Sequence, residues 1–197
     1  MTGFDACGIA SVENESDDGF DAWLHAGYHA DMAWMERTRD IRQQVSLKVP
    51  GARSVVVVAK SYNHHNASSP LYSPKIARYA WSRDYHRALL KPLKQLATHI
   101  SEITEARRDI PEKRGTVSAL YASIDSGPVR ERAWAYRAGV GFIGRNGLII
   151  NPELGSWLFL ATIITTAELV PYSPVKNRCG TCRACIDACP TGAIVAN

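Results

Sequence analysis

Four cysteines near the end of the chain have the spacing of an iron–sulfur motif. Two residues separate Cys179 from Cys182 and Cys182 from Cys185, and three separate Cys185 from Cys189, which directly precedes Pro190. Bacterial ferredoxins bind 4Fe-4S clusters with this spacing, and the cysteine before the proline binds a different cluster from the other three. We therefore expect Cys179, Cys182 and Cys185 to bind one cluster and Cys189 a second.

Two other uses of these cysteines fit less well. Disulfides are typical of secreted proteins, and no secretory signal is recognisable in the sequence. A structural zinc site stays open, because Cys-x-x-Cys pairs bind zinc, but zinc sites usually take their second pair from a distant strand or loop. The even spacing and the Cys-Pro pair favour iron–sulfur.

The number of cysteines is too small for two complete clusters. Two four-cysteine clusters need twice the thiolates of this run, and the fifth cysteine, Cys7, is typical of a small buried side chain. We therefore expect the chain to be a fragment that ends after the first half of a two-cluster domain. A fragment of this kind is expected to be inactive alone.

Charge and hydropathy restrict the class of protein only mildly. Lys and Arg total 23 and Asp and Glu 19, a net charge of +4, which is compatible with a nucleic-acid partner without demonstrating one. Arginines are concentrated in residues 37–42, 78–87 and 130–145. They would form either a basic face or an ordinary solvated surface. No apolar run reaches the roughly 18 residues of a membrane span. We expect a cytoplasmic protein with no membrane contact.

The hydrophobic pattern predicts a sheet covered by helices. The valines at 55–58 predict a strand that is buried on both faces. A first helix is predicted from Phe20 to near Gly27. A long helix carries one apolar face, but Pro92 predicts a kink in it or a start near Lys91. The predicted strands are residues 3–10, 54–60, 116–124 and 156–166, and the apolar face of the long helix comprises Leu89, Leu93, Leu96, Ile100 and Ile103.

Turn and loop signals complete this pattern. A helix is predicted to begin at Pro128 and end at Gly139, with Asp125 or Ser126 as its cap. Four glycines between residues 139 and 147 would let the backbone approach a bulky ligand closely.

Two further segments bear on sites and domains. His64 and His65 are adjacent in a polar loop, which favours solvent exposure over metal binding. The linker 171–176 is rich in proline and predicts domains 1–170 and 171–197.

Together, these residues resemble the epoxyqueuosine reductases, cobalamin- and iron–sulfur-dependent enzymes of tRNA queuosine biosynthesis. The resemblance runs from about residue 28 onward, in the order of the family. It rests on the segments 50–56, 77–86, 125–128, 137–146 and 151–157 and on the cysteine run.

The resemblance implies a fold, a reaction and partners. The fold would be α/β, a cobalamin-binding domain with a central sheet covered by helices, followed by the first half of a ferredoxin-like two-cluster 4Fe-4S domain. The enzyme would reduce the epoxide of epoxyqueuosine in tRNA to queuosine, with electrons passed from the clusters to cobalamin. It would be a monomer, receive electrons from an external donor, and hold tRNA by basic side chains on the phosphates.

The resemblance also implies site residues. Asp125 would be the general acid, whereas the residues alone favour a helix cap, because a helix N-terminus stabilises an ionised carboxylate. The cobalamin contacts would be Arg42, Tyr79, Ala80, Asp125, Asn146 and Asn151. Two other functions stay open: an iron–sulfur electron-transfer module without catalysis of its own, and a cobalamin enzyme like the reductive dehalogenases.

Overall fold

The computed structural model describes residues 3–14, 19–63, 76–106 and 120–195. His64, His65 and the first residues of the predicted strand 116–124 lie outside this part of the chain. Within it, no helix is both long enough and apolar enough to cross a membrane.

A four-stranded antiparallel sheet forms the centre of the molecule. Its order is β1-β2-β6-β3, and in register Val56 lies opposite Ile9 on one side and Ile163 on the other. A two-stranded hairpin, β4–β5, stands apart from this sheet. The strands are β1 Ala6–Ser11, β2 Ser54–Ser61, β3 Leu120–Ser123, β4 Phe142–Ile143, β5 Ile149–Ile150 and β6 Leu158–Thr165.

The two faces of β2 lie in two separate hydrophobic clusters. Val55 and Val57 pack with one cluster, and Val56 and Val58 with the other. All four side chains are at most 3% exposed, because successive residues of a strand point to opposite faces. The prediction of a strand buried on both faces is confirmed. Cys7, in contrast, is exposed on the edge strand β1, so the prediction that it is buried is wrong.

Helices cover both faces of the sheet. The helix α4 contributes Leu89 and Leu93 to the cluster of Val56, whereas α5 contributes Trp134 to the cluster of Val55. The mixed α/β architecture is therefore confirmed. The helices are α1 Phe20–His25, α2 Ala33–Arg37, α3 Arg39–Gln43, α4 Tyr85–Ala106, α5 Glu131–Arg137 and α6 Ala184–Asp187.

The long helix α4 begins before its proline. It starts at Tyr85 and carries Pro92 inside, so a start near Lys91 is wrong. An interior proline costs about 3 kcal/mol in a helix. Leu89, in the turn that precedes the proline, is 7% exposed, and burying a leucine contributes about 1.5–3 kcal/mol. Ile103, predicted on the buried face, is 42% exposed.

Asp125 and Ser126 do not cap the next helix. The helix α5 begins at Glu131, its N-cap is Arg130, and no side chain caps it by a hydrogen bond. The predicted cap and the predicted start at Pro128 are both wrong, because residues 125–130 form a turn that separates β3 from α5. The predicted end is confirmed, since Gly139 follows α5 with a φ of 73°.

Candidate active site

A cavity of about 430 Å³ opens where β6, α4, α5 and the turn after β3 meet. Its walls combine aromatic and aliphatic side chains with two acids and an arginine. The lining residues are Tyr62, Tyr79, Tyr85, Asp125, Glu131, Arg132, Leu148, Leu158, Phe159 and Leu160. This composition is typical of a small-molecule site, which is mostly apolar with a few polar groups.

Asp125 is held at this cavity by an unusual backbone conformation. Its φ is 57°, in the left-handed region that residues other than glycine rarely adopt. Tyr85 Oη donates a hydrogen bond of 2.6 Å to Asp125 Oδ2, and His86 Nε2 lies 3.7 Å from the same oxygen. The Asp125 side chain is 67% exposed. Backbone strain of this kind is concentrated at functional sites.

Tyr85 is fixed by a stack of aromatic rings. Its ring lies 4.3 Å from that of Phe159 at an angle of 8°, and Phe159 contacts Tyr62 at 4.5 Å. Burial, and then the hydrogen bond to Asp125, raise the pKa of Tyr85 above its usual range. The phenol therefore stays protonated and donates to Asp125.

Glu131 is the second acid of the cavity. Its Oε1 is buried and has no hydrogen-bond partner among the described residues. Burial raises the pKa of Glu131 to about 7. Its own backbone N–H opposes this shift, the negative charge of Asp125 adds to it, and the cations of Arg42 and Arg132 oppose it. A carboxyl that titrates near neutrality can exchange a proton at physiological pH.

Of the residues predicted to contact cobalamin, the structure brings Tyr79 and Asp125 to one cavity. Ala80 follows Tyr79 in the short 3-10 turn Arg78–Ala80. Arg42 is placed differently: its guanidinium donates to Val129 O at 3.2 Å and to Thr38 Oγ1 at 2.9 Å. Burial lowers the pKa of Arg42. This arginine therefore ties α3 to the turn before α5.

Asn146 and Asn151 form hydrogen bonds with backbone groups in and beside the β4–β5 hairpin. Asn146 Oδ1 accepts a hydrogen bond from Leu148 N at 3.1 Å. Asn151 Nδ2 donates to Val140 O at 2.6 Å, and its Oδ1 accepts from the backbone N–H groups of Glu153 and Leu154. Both amides thus support loop structure, and neither residue lines the cavity of Asp125.

The glycines of this region allow contacts within the chain. A Cβ at Gly141 would lie 2.6 Å from Ile150 O, and one at Gly139 would lie 2.5 Å from Ser173 O. These two glycines pack closely against other parts of the chain, and they do not provide the predicted close approach to a bulky ligand. They let the hairpin close, and they let the predicted linker pass directly over the end of α5.

The cysteine segment is docked on the hairpin. The guanidinium of Arg145, between β4 and β5, donates to Cys182 O at 2.5 Å and to Gly180 O at 2.9 Å. Asn177 Nδ2 donates to Ile143 O at 3.0 Å. The predicted linker is also attached, since Tyr172 N donates to Ile9 O at 2.8 Å.

The thiol of Cys189 lies near hydrogen-bond donors that favour its ionised form. The backbone N–H of Ile194, and then the hydroxyl and N–H of Thr191, lower the pKa of Cys189 to about 7. Iron is bound by thiolates, so these donors favour the binding form. All five cysteines are free thiols. Within the described ranges, no three acidic, histidine or cysteine side chains are grouped as a metal site.

Sequence reasoning missed Tyr85 and Glu131 as site residues. Tyr85 lies inside the resembling segment 77–86, so the segment was recognised but not the role of this residue. The signal for Glu131 is weaker: an acid in the first turn of a short helix normally indicates only a favourable helix dipole. Its burial depends on contacts with distant parts of the chain.

Comparison with known proteins identifies relatives of both parts of the chain. Residues 42–117 match the family described as epoxyqueuosine reductase QueG, DUF1730, and residues 173–195 match the 4Fe-4S binding domain. The chain therefore carries an iron–sulfur motif. It is 43% identical to epoxyqueuosine reductases of Gloeobacter violaceus and Synechocystis, over 98% and 95% of its length, and it spans 57% and 62% of theirs.

Solved structures of epoxyqueuosine reductases are also similar to this chain. The epoxyqueuosine reductase of Streptococcus thermophilus matches 98% of this chain with a TM-score of 0.79 and 30% identity, over 50% of its own length. A relative with a TM-score of 0.74, solved with an epoxyqueuosine-modified tRNA stem loop, is 28% identical over 98% of this chain and 50% of its own. The Bacillus subtilis enzyme matches with a TM-score of 0.70 and 27% identity, over 98% of this chain and 49% of its own. The Bacillus subtilis structure is described as having a catalytic loop, named after an aspartate, that is swung out of the active site. In sequence and in fold, over nearly its whole length, the chain is related to the epoxyqueuosine reductases.

Proposed function

We propose that this chain supplies the catalytic residues of an epoxyqueuosine reductase, which reduces the epoxide of epoxyqueuosine in tRNA to queuosine. The observation that carries the proposal is the placement of Asp125, in a strained turn at the edge of an aromatic cavity. Relatives that are 43% identical are named for this activity, and one structural relative has a catalytic aspartate loop.

The apolar and aromatic lining of the cavity supports cobalamin as its proposed ligand. Its aromatic and aliphatic side chains, among them Tyr62, Tyr85 and Phe159, suit a broad apolar macrocycle. Tyr79, Ala80 and Asp125 would contact cobalamin directly. Arg42, Asn146 and Asn151 stay predicted contacts whose hydrogen bonds within the chain hold neighbouring loops in place. When bound, cobalamin would supply the reducing electrons for the epoxide.

Asp125 would act as the general acid of the reaction. Opening an epoxide places negative charge on its oxygen, and a positioned carboxyl that donates a proton there lowers the barrier. Tyr85 orients the carboxyl through its hydrogen bond to Oδ2. Because the Asp125 side chain is largely exposed to the cavity, it can reach a substrate there.

The cysteine segment would bring electrons to this site. We retain the assignment of Cys179, Cys182 and Cys185 to one 4Fe-4S cluster and of Cys189 to a second. The two hydrogen bonds of Arg145 would keep this segment close to the α/β domain. Electron supply would come from an external donor.

The tRNA would be held by phosphate contacts and by stacking. Arg78, next to Tyr79, places its guanidinium carbon 3.9 Å from the ring centre of Trp157 and 5.4 Å from that of Trp81. Aromatic rings and guanidinium planes stack on unpaired bases. The relative solved with a modified tRNA stem loop supports this partner. We propose a monomer that acts in the cytoplasm.

Two measurements on the complete, cofactor-reconstituted protein test this function. The first is corrinoid binding, followed by its visible absorption, and the second is conversion of epoxyqueuosine in purified tRNA. The proposal predicts binding and conversion. Absence of bound corrinoid would favour an electron-transfer module, and reduction of organohalides without conversion of the tRNA base would favour a dehalogenase-like enzyme.

A further inference from the structure

The turn of the β4–β5 hairpin contacts both the cavity wall and the cysteine segment. Arg145, in this turn, donates through its guanidinium to Cys182 O at 2.5 Å and to Gly180 O at 2.9 Å. Further along the turn, Gly147 O accepts a hydrogen bond of 2.7 Å from Arg132 Nη1, and Arg132 lines the cavity. The turn therefore joins the segment that carries the cysteines to the proposed active site.

The hydrogen bonds of Arg145 bring a positive charge to a segment that is already basic. Lys176, Arg178 and Arg183 are exposed within this segment, and Asp187 is its single acid. Cations that share a short segment repel one another, and an anion among them offsets that repulsion. A 4Fe-4S cluster held by thiolates is such an anion. The charge of the segment and the spacing of its cysteines thus fit the same group.

Arg145 differs from the other three cations in its place in the fold. They belong to the cysteine segment, whereas Arg145 belongs to the hairpin, which packs against α5. A reduced cluster carries one more negative charge than the oxidised cluster, so a nearby cation stabilises the reduced form and raises the reduction potential. The cluster gains the charge of Arg145 only while the segment is docked on the hairpin.

We propose that Arg145 is a positioning residue of the electron path, which raises the reduction potential of the cluster bound by Cys179, Cys182 and Cys185. The inference rests on the cluster assignment in the proposed function. On reduction this cluster takes one electron from the external donor, and the guanidinium offsets part of the negative charge that the cluster gains. The docked cluster therefore holds an electron more readily beside the cavity that uses it. Arg145 acts from the backbone of the segment and is not a ligand of iron.

A redox titration of the complete, cofactor-reconstituted protein, followed by electron paramagnetic resonance, tests this inference without turnover. Two variants separate the charge of Arg145 from its hydrogen bonds. Arg145→Gln keeps an amide donor but loses the charge, and Arg145→Lys keeps the charge. In Arg145→Gln, one of the two clusters should show a reduced-to-oxidised ratio lower by about threefold to tenfold at a fixed solution potential, where tenfold is 59 mV for one electron. Arg145→Lys should stay close to the native ratio.

Lys94→Ala is the matched control for the loss of one positive charge. Lys94 is an exposed residue of α4, which covers the face of the sheet opposite to α5 and the hairpin. Its titration should coincide with that of the native protein. An unchanged ratio in Arg145→Gln, or an equal fall in Arg145→Gln and Arg145→Lys, would overturn the proposal. Loss of iron from Arg145→Gln would also overturn it, because the charge would then hold the cluster and not tune it.

These outcomes are distinct from a failure of the proposed function. A native ratio in Arg145→Gln, together with conversion of epoxyqueuosine by the native protein, would overturn the role of Arg145 and leave the function standing. A complete native protein that holds no 4Fe-4S cluster would reject the proposed electron supply and, with it, the role of Arg145.

Discussion

Tyr85 Oη donates a hydrogen bond of 2.6 Å to Asp125 Oδ2, and this bond joins residues 40 positions apart in the chain. It connects the first residue of α4 to the turn after β3. The bond accounts for two features together: Asp125 points toward α4 and does not cap α5, and its left-handed backbone is held in place from outside the turn.

Removing the Tyr85 hydroxyl should impair the orientation of Asp125 but leave the fold intact. Tyr85→Phe keeps the stack on Phe159, so the expected loss of stability is small. Hydrogen bonds to charged groups are worth about 1.5–3 kcal/mol, so kcat should fall by about tenfold or more. The measurement is kcat beside the urea-unfolding midpoint. Unchanged kcat would show that Asp125 needs no orientation by Tyr85.

Glu131 should make the stability of the protein depend on pH. Its pKa is raised in the folded state from 4.5 to about 7, so the folded carboxyl keeps a proton that the unfolded chain releases. The stability that the Glu131 carboxyl contributes is therefore fully present below pH 4.5, and it is lost as pH rises through about 7.

Urea unfolding at pH 5 and pH 8 measures this decline. The full loss is on the order of 3 kcal/mol, and Glu131→Gln should remove most of it because glutamine carries no charge. Glu168→Gln, at an exposed position, should decline like the native protein. An equal decline in Glu131→Gln would contradict the buried acid.

Arg145 should determine how firmly the cysteine segment is attached. Arg145→Ala removes the hydrogen bonds to Cys182 O and Gly180 O, so faster hydrogen exchange is expected at residues 177–186. Arg178→Ala, at an exposed arginine of the same segment, is the matched control. Equal exchange in the native protein and both variants would show that Arg145 does not hold the segment.

The sequence predicts those features that depend on local pattern. The valines of β2 indicate a strand buried on both faces, because four β-branched residues in a row suit no exposed surface. The cysteine spacing likewise predicts an iron–sulfur motif without any knowledge of the fold. Residues 173–195 match a 4Fe-4S binding domain.

Other features depend on residues that are far apart in sequence. The turn signals at residues 125–128 indicate a helix cap, but the hydrogen bond from Tyr85 and the close packing at Gly127 decide the conformation. A Cβ at Gly127 would lie 2.2 Å from Ser123 Oγ, which shows how tightly the turn packs. The burial of Glu131 depends in the same way on contacts that no local pattern contains.

The most direct test of the account is the turnover of Asp125→Asn in the complete, cofactor-reconstituted protein. Asparagine keeps the size of the side chain and accepts the hydrogen bond of Tyr85 but has no proton to give. Asp31→Asn, at an exposed aspartate, is the control. We predict corrinoid and iron contents equal to those of the native protein and a rate of epoxyqueuosine reduction lower by about 100-fold or more. Native rates in Asp125→Asn would contradict the central claim that Asp125 is the acid of this site.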